Sequence, residues 1–464
     1  MVSATEAASG DIRKTEFLGH PIGLIYLVFA EAFERFSYYG MRALLTLYLA
    51  QELLLPGHVE HVIGFAPFRA ALEHIYGAQS IVGLTSVIVG LYGLTYLTPL
   101  MGGFIADRWL GRRTTITIGA LVMVFGHFLM AFEPSFLIAL GLILFGVGCF
   151  KGNISSQVGA LYGPGDERRG IAFQVFYLVF NGSVIIAPLI CGWLGQMVGW
   201  GWGFGAAGVS MLFGLAVYLA GRKWLPAEPP RGKAAVAAPK ARLTGNDWVK
   251  IILLLVLLPL LGASLVGNEQ IFNNYLTWGN ANYNLVFWGH AVPSSWLVSL
   301  DATCSIFFLS GSILFWKWWS MKRREPDEMT KIAFASLFAA VAPLALAAAA
   351  MTVTPAHKAS LWWGILFEVF NDIGFANLVP VALALFARAA PQQVNGTMIG
   401  FYMLSFFFAD MGAGALGQFL EPMGAVNFWL LHVAIGGGAS IALIIFWKLF
   451  NHRLLRDEPA DKAF

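Results

Sequence analysis

In the segment EAFERFSYYGMR, residues 31–42, Glu31, Glu34 and Arg35 stand at i, i+3 and i+4. Tyr38 and Arg42 continue the series at i+7 and i+11. On a helix these positions fall on one stripe, so one face carries two carboxylates, two guanidinium groups and a phenol. The flanks, IGLIYLVFA before and ALLTLYLA after, are apolar. A charge at the centre of a bilayer costs about 2.5–3.5 kcal/mol on insertion scales, so such a face lines a wet cavity or pairs with other buried charges. Two chemistries fit. One is an ion network that only holds helices together. The other is a proton and substrate site: a carboxylate beside a guanidinium keeps its charge, and once the guanidinium moves off, burial favours binding a proton.

Further charges lie inside apolar runs. They are Lys151 in GVGCFKGNIS, Glu269 in LVGNEQIF, Asp301 in SLDATCS, Glu368 and Asp372 in FEVFNDIGF, and Asp410 before MGAG. A solvated position at the external interface is the plain alternative for Glu368, and a brace at a helix crossing for Asp410. His127 and His432 read as satisfied core histidines. The sequence contains no HExxH, GxSxG or GxxxxGK[ST] pattern, so neither a zinc or serine enzyme nor an ATP-driven pump is expected. No cofactor is expected either. The three cysteines have neither disulfide nor metal-site spacing.

The elements that must position these residues are membrane helices. The 464 residues are 58% hydrophobic and 12% charged, against about 25% charged in soluble domains, and the mean hydropathy is +0.69. A net charge of +3 argues for no nucleic-acid partner. Runs of about 20 apolar residues each span a bilayer. They fall near 21–52, 79–104, 114–133, 136–160, 170–191, 203–224, 249–276, 296–320, 330–353, 361–388, 395–420 and 427–450, which makes an all-α polytopic protein of twelve helices. Lys and Arg concentrate in alternate short loops: Arg108, Arg112 and Arg113; Arg168 and Arg169; Arg222 to Arg242; Lys322 to Arg324; Arg388; and Arg453 with Arg456. The other side has only Arg69 and Lys358. Both termini are therefore expected in the cytoplasm, in a multi-pass protein of the cell (inner) membrane. Residues 1–19 have no apolar core and read as a cytoplasmic tail rather than a signal peptide. A linker at 225–247, rich in Pro, Ala and base, separates six-helix bundles at 20–224 and 248–452, with a tail at 453–464. This is the layout of a transporter with a midplane site between its halves. The external stretch 53–77 reads either as a short amphipathic helix over FRAALEHIYG or as disordered.

EAFERFSYYGMR resembles the ExxER first-helix signature of the proton-dependent oligopeptide transporters, a branch of the major facilitator superfamily. GGFIADRWLGRR, 102–113, resembles the superfamily's loop between its second and third helices, where Asp107 would join the arginines as a brace. FKGNISSQVGALYG resembles the family's FKPNIS stretch, with Gly152 for Pro, and FQVFYLVFNGSVIIAPLICGWLG its fifth-helix signature. The likeness is looser in the C-terminal half. It implies a major facilitator fold and a proton-coupled importer of di- and tripeptides. Glu31, Glu34, Arg35 and Lys151 would couple proton to peptide. Tyr38, Tyr39, Tyr96, Asn181 and Tyr402, with Tyr92 beside them, would line the pocket, Tyr402 standing in MIGFY where the family has Trp. Arg42 and Glu269 would pair as an external gate. Two departures stand out: SLDA replaces the family's SLNP, and Phe375, five residues before Pro380, occupies the place of a tenth-helix Glu. Asp301 or Asp372 is expected to take that acid's role toward the peptide amine. The alternative cargo is another small solute, such as nitrate or a peptide-like drug.

Overall fold

The computed structural model describes residues 16–163, 166–226, 228 and 243–455. Most of the basic linker and Arg456 fall outside the described residues. The chain forms two units. The first comprises Met1–Leu44, Val59–Phe65 and Thr98–Val236. The second comprises Leu45–His58, Ala66–Leu97 and Ala237–Phe464.

The protein is mostly helical, and among the described residues ten helices are long and apolar enough to cross a membrane. Gly23–Tyr48 and Arg112–Leu129 are not among the ten. The first carries Glu31, Glu34, Arg35 and Arg42; the second opens on Arg112 and Arg113 and contains His127. These two helices overlie the first and third of the twelve apolar runs, so ten helices meet the length and composition of a span where twelve were expected. The last two runs meet closely, at Asn395–Gly417 and Leu420–Leu454, with Gly424 at φ 74° breaking the second. The stretch 53–77 contains an α-helix at Phe65–Tyr76, the first of the two sequence alternatives.

In the first unit, small residues let helices approach. A Cβ on Gly102 would stand 1.9 Å from the Gly148 carbonyl oxygen, so the helix carrying Lys151 lies directly on its neighbour. Gly214 faces Ala30 and Phe33 in the same way, and the Ser210 hydroxyl donates to the Phe33 carbonyl at 2.9 Å. The first helix is thereby fixed just beside Glu34. At the start of the linker, Arg113 donates to the carbonyls of Leu225 (2.6 Å) and Pro226 (2.8 Å), and its backbone N–H donates to Glu228 (2.7 Å).

In the second unit, a core of Leu254, Leu257, Leu261, Leu378, Phe386, Tyr402 and Leu443 joins the helices Gly245–Glu269, Trp362–Ala389 and those after it. The segment Ile81–Leu91 belongs to this unit through polar contacts. Asn273 donates to the Ser86 carbonyl (3.1 Å) and Asn274 to its hydroxyl (3.0 Å). Gly90 packs on Gly414, where an added Cβ would stand 2.7 Å from the facing Cα.

Candidate functional site

In the first unit the helix Gly23–Tyr48 turns its charged stripe inward. Glu31, Glu34, Arg35 and Arg42 are each no more than 2% exposed. One guanidinium nitrogen serves both acids: Arg35 Nε donates to Glu31 Oε1 at 2.7 Å and lies 3.1 Å from Glu34 Oε2. The second oxygen of Glu31 is buried without a hydrogen-bond partner. Charge is thus concentrated on one fork, and acceptor capacity is left over. The Arg35 guanidinium also lies 5.8 Å from the centre of the Tyr38 ring and 5.2 Å from that of Phe180. Lys151 Nζ lies 5.8 Å from the same Tyr38 ring. Tyr38 therefore touches both cations, a cation–π arrangement that holds them near each other without a carboxylate for each. Tyr39 packs edge-on against Tyr38 and Phe180.

The structure thus brings together Glu31, Glu34, Arg35, Tyr38, Tyr39 and Lys151, with Arg42 and Lys151 within electrostatic reach of each other. The Asn181 amide donates to the Tyr177 carbonyl one turn back on its own helix, at 2.8 Å. Phe180, next to it in sequence, is the residue that packs on Arg35; sequence reading missed it, because an aromatic in an apolar run has no signal of its own.

In the second unit the acids divide. Glu269, 5% exposed, closes the helix Gly245–Glu269. The next residue, Gln270, donates to the Ala413 carbonyl (3.1 Å) and to His432 Nε2 (2.9 Å), while His432 Nδ1 donates to the Phe428 carbonyl (2.8 Å). His432 is a satisfied core histidine, as expected. Asp301 from Trp296–Ser320 meets Glu368 and Asp372 from Trp362–Ala389. Ser305, one turn after Asp301, donates its hydroxyl to Asp372 Oδ1. Phe375 packs against the apolar core. Tyr402 is fully buried in that core, and its hydroxyl donates to the Val379 carbonyl at 2.8 Å. Tyr96 stacks on Phe406 with ring centres 5.2 Å apart, and Tyr92 is 1% exposed. Of the tyrosines expected to line the pocket, Tyr402 thus acts as a core residue, and its free ring face is already taken by Phe386 and Phe406.

A family model described as "POT family" matches residues 113–253. An uncharacterized transporter, YclF of Bacillus subtilis, is 29% identical, over 91% of this chain and 93% of that protein. The peptide transporter YePEPT of Yersinia enterocolitica is 27% identical, over 86% and 88%. A crystal structure of a peptide transporter POT in complex with sulfate superposes with a TM-score of 0.77 at 24% identity, covering 95% of this chain and 96% of that one. These likenesses extend along nearly the whole chain, and the structural one shows that the chain shares the fold of that transporter.

Proposed function

We propose that the protein imports di- and tripeptides together with protons by alternating access. The observation that carries this is the sealed trio in which one Arg35 nitrogen holds both Glu31 and Glu34. Such a trio has two stable arrangements: closed, with the guanidinium on both acids, and opened, with an acid protonated and the guanidinium released to an incoming carboxylate. Lys151, seated on Tyr38, is a second cation for that carboxylate. The names of the peptide-transporting relatives support the cargo class.

A peptide zwitterion also needs an acid for its ammonium. Asp301 takes this role in our reading, because it is partly exposed while Glu368 and Asp372 are fully buried. Arg42 and Glu269 act as the external gate, Asn181 and Tyr96 as pocket wall, and the chain sits in the cell membrane with both termini cytoplasmic. The second reading, another small zwitterion or anion as cargo, is favoured by one observation: Phe375 stands in the core where the family has an acid.

The test is uptake of labelled dialanine by sealed liposomes with an inward proton gradient. Accumulation that an uncoupler and Glu34→Gln both abolish is the expected result. Absence of uptake would refute the peptide reading, and uptake indifferent to the gradient would refute proton coupling. If Asp301→Asn leaves dialanine affinity unchanged, Asp301 does not hold the amine.

A further inference from the structure

Asp301, Glu368 and Asp372 bring three carboxylates so close that one oxygen from each lies within 4.8 Å of the others. Glu368 and Asp372 are 0% exposed. Both oxygens of Glu368 and Oδ2 of Asp372 are buried without a hydrogen-bond partner. A separate observation comes from a neutral group. The Tyr275 hydroxyl, on a fully buried side chain, stands close enough to Glu368 and Asp301 to interact with both, yet it makes no hydrogen bond of proper geometry. Three buried carboxylate oxygens and the Tyr275 hydroxyl therefore converge, and none of the four is in a hydrogen bond of proper geometry.

Buried charges are neutralised by a partner, by a proton or by a metal ion. The donor set decides among cations. It is all oxygen, which suits hard ions and excludes the thiolate- and imidazole-seeking ones. Two oxygens on opposite sides of a Ca²⁺ at 2.3–2.6 Å are about 5 Å apart, which accommodates the observed limit. Three carboxylates offer up to six oxygens, and Ser305 and Tyr275 offer two more, inside the range of about 6–8 that Ca²⁺ takes. Mg²⁺ prefers to keep several waters, and the burial of Glu368 and Asp372 leaves little room for them. Charge agrees. Three carboxylates exceed the single ammonium of a peptide by two negative charges, which one divalent ion supplies; this last point alone rests on the peptide reading.

We propose that Asp301, Glu368 and Asp372 form a divalent-cation site of the calcium type, with the hydroxyls of Ser305 and Tyr275 as neutral ligands. The test needs no peptide. Purified full-length protein, stripped with a chelator, is titrated with ⁴⁵Ca²⁺ alone. One saturable site per chain is expected, weakened about tenfold or more in Glu368→Gln and in Asp372→Asn, and retained in Glu34→Gln. Wild-type protein without saturable binding overturns the proposal with no variant needed. So does binding unchanged in both Glu368→Gln and Asp372→Asn, or displacement by equimolar Na⁺. A protonated-carboxyl infrared band that disappears in Glu368→Gln, with no calcium bound, would assign the charges to protons instead. Dialanine uptake can fail without touching any of these outcomes.

Discussion

The double duty of Arg35 Nε makes a demand on side-chain type that charge alone does not meet. A guanidinium is a rigid fork; an ammonium is a point charge on a flexible stem. Arg35→Lys keeps the charge but cannot hold Glu31 and Glu34 in the observed geometry. A lost hydrogen bond to a charged group costs about 1.5–3 kcal/mol, so gradient-driven uptake is expected to fall by about ten- to a hundredfold in protein that still runs as a single species on gel filtration. Uptake at the wild-type rate would show that the trio is only a structural tie. Tyr402 gives the contrasting case. Its hydroxyl bonds a backbone carbonyl inside an apolar core. Tyr402→Phe is therefore expected to lower thermal stability, by about 1 kcal/mol, and to leave substrate affinity unchanged; a change in affinity with no loss of stability would return Tyr402 to the pocket. The sequence announced the first-helix cluster because charge at helical spacing in an apolar run has no cheap explanation. It could not separate Tyr402 from Tyr38, because a tyrosine looks the same whether its hydroxyl meets a ligand or a carbonyl 23 residues away. Asp301, Glu368 and Asp372 were each visible, but their meeting was not: it depends on how Trp296–Ser320 lies against Trp362–Ala389, which no spacing within one helix reports.

Among the elements, hydrophobic runs marked the helices well, since about 20 apolar residues leave few other options in a bilayer. Where the helices touch is written in glycines, and their partners cannot be read from the chain. Gly90 and Gly414 are 324 residues apart, yet a Cβ on Gly414 would stand 2.7 Å from Gly90 Cα and 2.9 Å from the Ser86 carbonyl oxygen. Both neighbours are backbone, so no rotamer change relieves the clash. A transporter that works by alternating access must make and break such a contact in each cycle. Gly414→Val is therefore expected to keep the two helices apart, cutting net uptake at least about tenfold while binding of dialanine to the purified protein persists. Normal turnover in Gly414→Val would mean that this contact is not made during transport.

At the scale of the molecule, the described contacts group Leu45–His58 and Ala66–Leu97 with the C-terminal helices rather than with the helices that precede the linker. The linker divides the chain by composition; packing divides it by which ends of the helices touch. Thr46 illustrates the difference, donating its hydroxyl to the Phe272 carbonyl at 2.5 Å across 226 residues of sequence. These joined segments include the stretch with Arg69, the side on which basic residues are scarce. The orientation inferred from Lys and Arg predicts that Arg69 lies outside the cell and Arg323 inside. In a chain with its three cysteines replaced, a membrane-impermeant maleimide applied to intact cells is expected to label Arg69→Cys, on the exposed face of Phe65–Tyr76, and to reach Arg323→Cys only after permeabilisation. Arg323 lies on the turn that follows Trp296–Ser320, among Lys322 and Arg324. The opposite pattern would invert the molecule in the membrane. The proton gradient would then meet the Glu31–Arg35–Glu34 trio from the other side, and symport would still carry peptide in the direction the protons move, but through a cluster first loaded from the opposite end.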